Sequence, residues 1–214
     1  MTDDVKRGST PPGGRGQART RLARRAVIDA ARERFVAGGY TATTIDAISA
    51  HADVPQATVY RLFGSKLGIL KALLDTSIAG DDRPVAVPDR AEVAALFSEP
   101  DPHALLAGFA AFTTTINERT ADVYGVLVGA AATDPSAAQL LAVVHRQRGE
   151  GQHRIARTLA RAKALRAGIR ERDAADIIHG LMSPDVYRLF VVDRAWKPAR
   201  YRAWLTDTLV QQLL

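Results

Sequence analysis

Between residues 55 and 63 the chain reads Pro-Gln-Ala-Thr-Val-Tyr-Arg-Leu-Phe. Val59, Leu62 and Phe63 fall at helical spacing with Val54, which leaves Pro55, Gln56, Ala57, Thr58, Tyr60 and Arg61 on the other side. An amide, a methyl group, two hydroxyls and a guanidinium on one short helix suit base edges and phosphates in a DNA major groove. A second grouping suggests different chemistry. Glu150-x-x-His153 and Asp176-x-x-His179 each set a carboxylate and an imidazole three residues apart, as dinuclear metal sites in helical bundles do. Such a site also needs two further inward carboxylates, for which Glu118 and Asp122 are the nearby candidates. Glu150 is flanked by Gly149 and Gly151 on a polar stretch, which favours the surface. No Ser-His-Asp arrangement or nucleotide-binding loop is present, so neither enzyme activity nor any metal or cofactor is expected.

The base-reading face requires a helix before it. Ile45 and Ile48 share one side of that helix, and Ser49 and Ala50 are small enough for a close crossing. Thr44 suits its N-cap, with Asp46 in the first turn. Asp53 falls in the turn between the helices, where positive φ is needed and Asp tolerates it. Ser65 caps a further helix that begins at Lys66 and runs through Leu67, Leu70, Leu73 and Leu74 toward residue 79.

Upstream, residues 1–19 carry Gly, Pro, Ser and Arg with little to bury and read as a disordered basic arm. A helix then covers about 21–37 on Ile28, Ala31 and Phe35, and Gly38-Gly39 ends it. Arg21, Arg24 and Arg25 would lie near its first turn, where the helix dipole disfavours cations. Nearby phosphate would account for them, as would simple tolerance of an exposed penalty of about 0.3–1 kcal/mol. Residues 1–79 hold 12 Lys and Arg against 7 Asp and Glu, whereas 80–214 hold 17 against 16. The positive charge thus accompanies the base-reading unit, where a polyanion needs it.

Residues 80–90 are polar and contain two prolines, as a linker would. Beyond them helices are expected over about 103–119, 121–132, 136–165, 173–194 and 198–213, with Pro184 kinking the fourth. The fold class is therefore all-α, with a helix-turn-helix unit over 20–79 and a larger helical unit over 80–214. The basic residues Arg146, Arg154, Arg157, Arg161 and Lys163 read as a solvated face. The chain has no cysteine, which excludes disulfides and thiolate chemistry, and no apolar run approaches a membrane span. With no apolar leader at the N-terminus, a cytoplasmic protein without membrane contact is expected.

Residues from about Arg24 to Leu74 resemble the TetR family of bacterial transcriptional regulators. The similarity is carried by AVIDAARERFVAGGYTATTIDAISAHADV, ATVYRLFGSK and ILKALL in order, and the segment LMSPDVYRLFVVDRAWKPARYRAWLTDTLVQQLL is similar to the ends of many actinobacterial members. The resemblance implies a homodimer on a roughly palindromic double-stranded DNA operator, joined through the last two helices as a four-helix bundle. It also implies a small-molecule effector in the C-terminal unit that alters the spacing of the two reading heads. Thr44, Tyr60 and Lys66 match phosphate-contacting positions, and Gln56, Ala57 and Thr58 match base-facing ones. Asp53 stands where Gly is usual, Ser49 where Ala is, and Leu62 where His or an aromatic is, which shifts weight to Arg61 as a polar reader.

On the helices that usually line the effector pocket lie Phe109, Phe112, Ile116, Tyr124, Leu127, Val128, His145, His179 and Met182. Core packing is an equal explanation for the apolar ones. His145 and His179 need polar partners, which a ligand or a backbone carbonyl could supply. An anionic effector could meet Arg148 or Arg119, though nothing in the sequence identifies the molecule. Leu189, Phe190, Trp204, Leu205 and Leu209 are the expected dimer contacts. An effector-independent DNA-binding protein is the other regulator reading, distinguished by the lack of a cavity.

Overall fold

The computed structural model describes residues 13–80 and 87–214, excluding the side chains of residues 13–15 and of Pro88. It comprises α1 (Gly13–Ala42), α2 (Ile45–Ala52), α3 (Gln56–Phe63), α4 (Lys66–Ala79), α5 (Ala91–Phe97), α6 (Pro102–Ala131), α7 (Pro135–Arg161), α8 (Glu171–Leu181), α9 (Pro184–Tyr187) and α10 (Pro198–Leu213). A 3-10 turn at Val87–Asp89 precedes α5, a π-turn at Arg188–Asp193 follows α9, and no strand occurs among the described residues. The protein is all-α.

Three helix starts share one local device. Asp101 and Asp134 accept from the backbone N–H groups two and three residues on, and each is followed by a proline at the first helical position. That proline has no amide hydrogen to leave unpaired and its φ is already helical. Ser183 and Pro184 repeat the device: the Ser183 hydroxyl accepts from Asp185 N, so the chain leaves α8 and starts α9. Pro184 therefore separates two helices instead of kinking one. Conversely, the expected break near residue 120 is absent. No Gly or Pro interrupts 109–124, and the Thr114 and Thr120 hydroxyls donate back to carbonyls one turn earlier within the single helix α6.

At the N-terminus, α1 begins at Gly13, so residues 13–19 are helical where an arm was expected, and residues 1–12 lie outside the described residues. Gln17, Ala18 and Arg19 are good helix formers with nothing to stop them. Arg21 and Arg24 consequently sit inside α1, and the dipole argument for phosphate beside them lapses. Regular geometry ends at Gly39, whose φ of 76° glycine adopts without a Cβ clash. The Thr43 hydroxyl closes this corner by donating to the carbonyls of Gly39 (2.8 Å) and Arg34 (3.1 Å).

Two cores result. The first gathers Val27, Ala31 and Phe35 of α1, Ile48, Val59, and Ile69, Leu70 and Leu73 of α4, together with Val123, Leu127 and Ala130 of α6. The second joins the N-terminal half of α6 (Leu105, Leu106, Phe109) to Ile155 and Leu159 of α7, Ile178 of α8, and Tyr201, Leu205, Leu209 and Leu213 of α10. One long helix thus serves both. A polar clasp reinforces the junction. Arg32 of α1 donates to Asp122 (2.9 Å), to the Ser77 hydroxyl (2.6 Å) and to the Arg119 carbonyl (3.0 Å). Arg119 donates to Ile78 O and Arg90 to Ala79 O, which holds the end of α4 against α6.

Leu205 and Leu209 are completely buried within this second core, so they are unavailable to a partner subunit. Their spacing of four reflects packing against α6, not an outward stripe. Leu189 is half exposed, whereas Phe190 and Trp204 stack at 4.5 Å at the edge of the same core.

Candidate functional site

The turn between α2 and α3 is built by Asp53 and Ser49, two of the three residues at which the sequence departs from the pattern it resembles. Asp53 takes φ 50°, ψ 43°, the left-handed conformation. Buried Ser49 donates its hydroxyl to the Val54 carbonyl at 2.6 Å, so the hydroxyl added at the helix crossing is satisfied. Ile48, Val54 and Val59 face the core. Pro55, Gln56, Ala57, Tyr60 and Arg61 face outward, with Thr58 half-buried. The structure therefore brings the six candidate readers together on one side of α3. Tyr60 is a large ring left 49% exposed by the described residues.

The flanking candidates divide. Thr44 accepts from Ala47 N at 3.1 Å through its hydroxyl oxygen, which leaves the hydroxyl proton free for another acceptor. Arg24 lies 4.9 Å from the Phe63 ring centroid and ties α1 to α3, while Arg21 is exposed on α1. Lys66 does not point outward. Its ammonium donates to the carbonyls of Tyr40 (2.8 Å) and Thr43 (2.9 Å), reaches that of Thr41 (3.5 Å), and sits 4.3 Å above the Tyr40 ring. Burial lowers its pKa, opposed by the more distant Asp134. Two short bonds and one marginal contact to carbonyls at the corner between α1 and α2 thus engage the ammonium. On the far side of α2, His51 bonds Glu33 at 2.8 Å and approaches Arg34, fixing α2 to α1.

A cavity of about 920 Å³ opens between α4, α5, α6 and α7. Phe109, Phe112, Ile116, Tyr124 and Met182 line it. Leu127 does not; it is fully buried in the first core between α6 and the reading head. Val128 is 39% exposed on the outer side of α6. His145 bonds the Tyr124 hydroxyl at 2.7 Å, and His179 bonds the buried Gln152, so neither imidazole lines the cavity and each is held by a residue that does. Burial foremost, then the Arg148 guanidinium and His145, lower the pKa of His179, against a weaker pull from Asp176.

Several polar groups of the lining were absent from the expected set: Asn117, Thr113, Thr120, Gln152 and Arg154. The signal for the first three is their spacing with Phe109 and Ile116 on a helix that does not break at residue 120. Arg148 also lines the cavity. Its guanidinium donates to the carbonyls of His179 and Met182 at 3.3 and 3.5 Å, and burial lowers its pKa. The carboxylate–histidine pairs do not form a site. His153 pairs with Glu171 of α8 at 3.0 Å, and no cluster of three potential metal ligands occurs among the described residues.

Residues 27–73 match the profile of the bacterial regulatory proteins of the tetR family. No curated protein matches the chain. Among solved structures, a tetR-family regulatory protein from Rhodococcus RHA1 is 22% identical with a TM-score of 0.66, covering 89% of this chain and 96% of its own. FadR from Bacillus subtilis, solved with stearoyl-CoA, is 16% identical with a TM-score of 0.67 over 89% and 99%. NalD, the secondary repressor of the MexAB-OprM multidrug efflux pump in Pseudomonas aeruginosa, is 16% identical with a TM-score of 0.67 over 91% and 98%. These likenesses extend the shared fold to nearly the whole chain, beyond the reading head. With the outward polar face of α3 carried on that head, residues 27–73 form a tetR-family N-terminal domain, and the chain as a whole shares the fold of these regulators.

Proposed function

We propose that this protein is a homodimeric repressor that leaves a palindromic operator when a small molecule enters the cavity. The observation that carries the reading is the shared wall. Leu74, Asp75, Ile78 and Ala79 of α4 line the cavity, and Leu70 and Leu73 of the same helix pack the reading head. A ligand that prefers a displaced α4 shifts the head by its difference in affinity between the two positions. The clasp of Arg32, Arg90 and Arg119 gives that displacement a defined resting position. The cavity supports effector control over an effector-independent regulator. It is of the size that holds drug-like ligands.

Half-exposed Leu189 and Val192 on the π-turn, with the Phe190, Trp196 and Trp204 edge beside them, support a second copy of the chain there. No described helix is long and apolar enough to cross a membrane. Action in the cytoplasm, where operator DNA resides, fits the reading, and regulation leaves the His153 and His179 pairs with structural work only. The experiment is selection of bound sequences from a random DNA pool at near-physiological salt. A palindromic consensus is expected. Absence of enrichment, with binding that vanishes as salt rises, leaves only a nonspecific basic surface and overturns the proposal.

A further inference from the structure

The cavity is chemically graded along α6. Phe109, Phe112, Asn117, Thr120 and Tyr124 recur at helical spacing on its lining side. At 1.5 Å per residue this face extends about 22 Å from Phe109 to Tyr124. The Phe109 end is aromatic: Phe97 and Phe112 lie 4.7 and 6.5 Å from Phe109, ring centroid to ring centroid. The other end carries donors without matching acceptors. Asn117 is 3% exposed, and its Nδ2 is fully buried with no hydrogen-bond partner. Arg148 forms no ion pair with a described residue. Only its Nη2 meets acceptors, two long contacts to neutral carbonyls at the end of α8. Asp185 and the Tyr124 hydroxyl attract the guanidinium from farther away.

A half-buried cation with weak neutral partners and a buried unpaired amide donor are costly unless something else pairs with them. We infer that the cavity binds an amphipathic carboxylate, its anionic end held at Arg148, its polar portion reaching Asn117, and its apolar body against Phe97, Phe109 and Phe112. A guanidinium meets a carboxylate through two parallel hydrogen bonds, which carbonyls cannot supply. Two carboxylates also line the cavity. Asp75 is exposed and already paired with Lys71 at 2.6 Å, and Glu150 is exposed on α7 four residues before Arg154, which covers the Phe97 ring at 3.7 Å. Neither neutralises Arg148 by contact.

The inference rests on the effector reading for its biological sense, and one experiment separates the two. The full chain is titrated at pH 7.5 with decanoate and 4-phenylbutyrate, and with 1-decanol and 4-phenyl-1-butanol, following both calorimetric binding and release of the selected operator. Each acid is expected to bind at least tenfold more tightly than its alcohol, and Arg148→Met to erase that preference while the alcohols bind as before. Because Arg148 also closes the end of α8, Asn117→Leu serves as a second variant. It removes the unpaired donor, so the free chain stays as stable or gains stability, and affinity for the acids falls several-fold.

Equal binding of acids and alcohols, no binding of either acid up to millimolar concentration, or a preference that survives Arg148→Met overturns the carboxylate assignment. Acids that bind through Arg148 but leave the operator complex intact overturn the effector reading and spare the assignment. Alcohols that bind and release operator where acids fail do the reverse. Between the two acids, the tighter one shows whether the aromatic end is built for a ring or for an alkyl chain.

Discussion

Replacing Lys66 with Met keeps most of the side chain's length and removes its charge. In the structure this ammonium makes two short hydrogen bonds to carbonyls, one marginal bond at 3.5 Å, and a contact over the Tyr40 ring. A hydrogen bond to a charged group contributes about 1.5–3 kcal/mol when fully buried. Lys66 is only half-buried, and water can rehydrate the carbonyls it leaves, so each short bond is discounted to below about 1 kcal/mol. The ring contact adds about 0.5 kcal/mol at such a site. The expected total is about 2 kcal/mol, or about 4–8 °C in Tm for a chain of this size. Calorimetry of the full chain, together with operator affinity measured across a salt series, checks this. The slope of log affinity against log salt is expected to stay unchanged, because no phosphate contact is lost. An unchanged Tm with a slope shallower by about 0.9 would refute the reasoning and return Lys66 to the phosphate backbone.

Gln56→Ala is expected to cost about 1–3 kcal/mol on the operator and to relax selectivity at one base pair per half-site, read from a panel of single-base operator variants. Equal loss on random DNA would remove Gln56 from base reading. His179 has a depressed pKa in the folded chain, so the unfolded chain takes up its proton first as pH falls. The stability it contributes is complete above about pH 6.5, the ordinary histidine value, and is lost as pH drops from there toward the folded pKa. Chemical denaturation at pH 7.5 and 5.5 is expected to show a smaller decline for His179→Gln than for the parent chain, and an identical decline would refute this. Leu205→Ala leaves a void in a site with no exposure, for an expected loss of about 2–5 kcal/mol by urea denaturation. A loss under about 0.5 kcal/mol would instead place Leu205 at a surface.

The reading head was legible because each of its signals is local. Thr44 and Ser65 cap the helices they precede, Asp53 adopts the left-handed turn, and alternate faces of α3 separate Val59 from Gln56 and Tyr60. Lys66 was different: its partners are carbonyls 23 to 26 residues away, and no spacing rule reports them. Two of the five expected dimer contacts, Leu205 and Leu209, fall elsewhere for a related reason. Apolar spacing shows that Leu205 and Leu209 are buried but not against what, and here α6 covers them. Along the second unit, Asp101-Pro102, Asp134-Pro135 and Ser183-Pro184 mark three helix starts by one physical device. Had the last been read with the first two, Pro184 would have stood as a boundary. Leu127 and Val128 adjoin the cavity residues in sequence, yet a long α6 turns them toward the first core and toward solvent.

The sharing of α6 between two cores bears on how far this protein can be recombined. A hybrid made by joining residues up to 80 to the C-terminal unit of another protein of this fold would discard Val123, Leu127 and Ala130, which complete the floor beneath Phe35 and Leu73, and would strand Arg32 without Asp122. The graft would need to carry the 119–130 surface with it, or find its equivalent in the recipient. The transferable unit is therefore discontinuous in sequence: a reading head plus the middle of a helix that begins 22 residues after it.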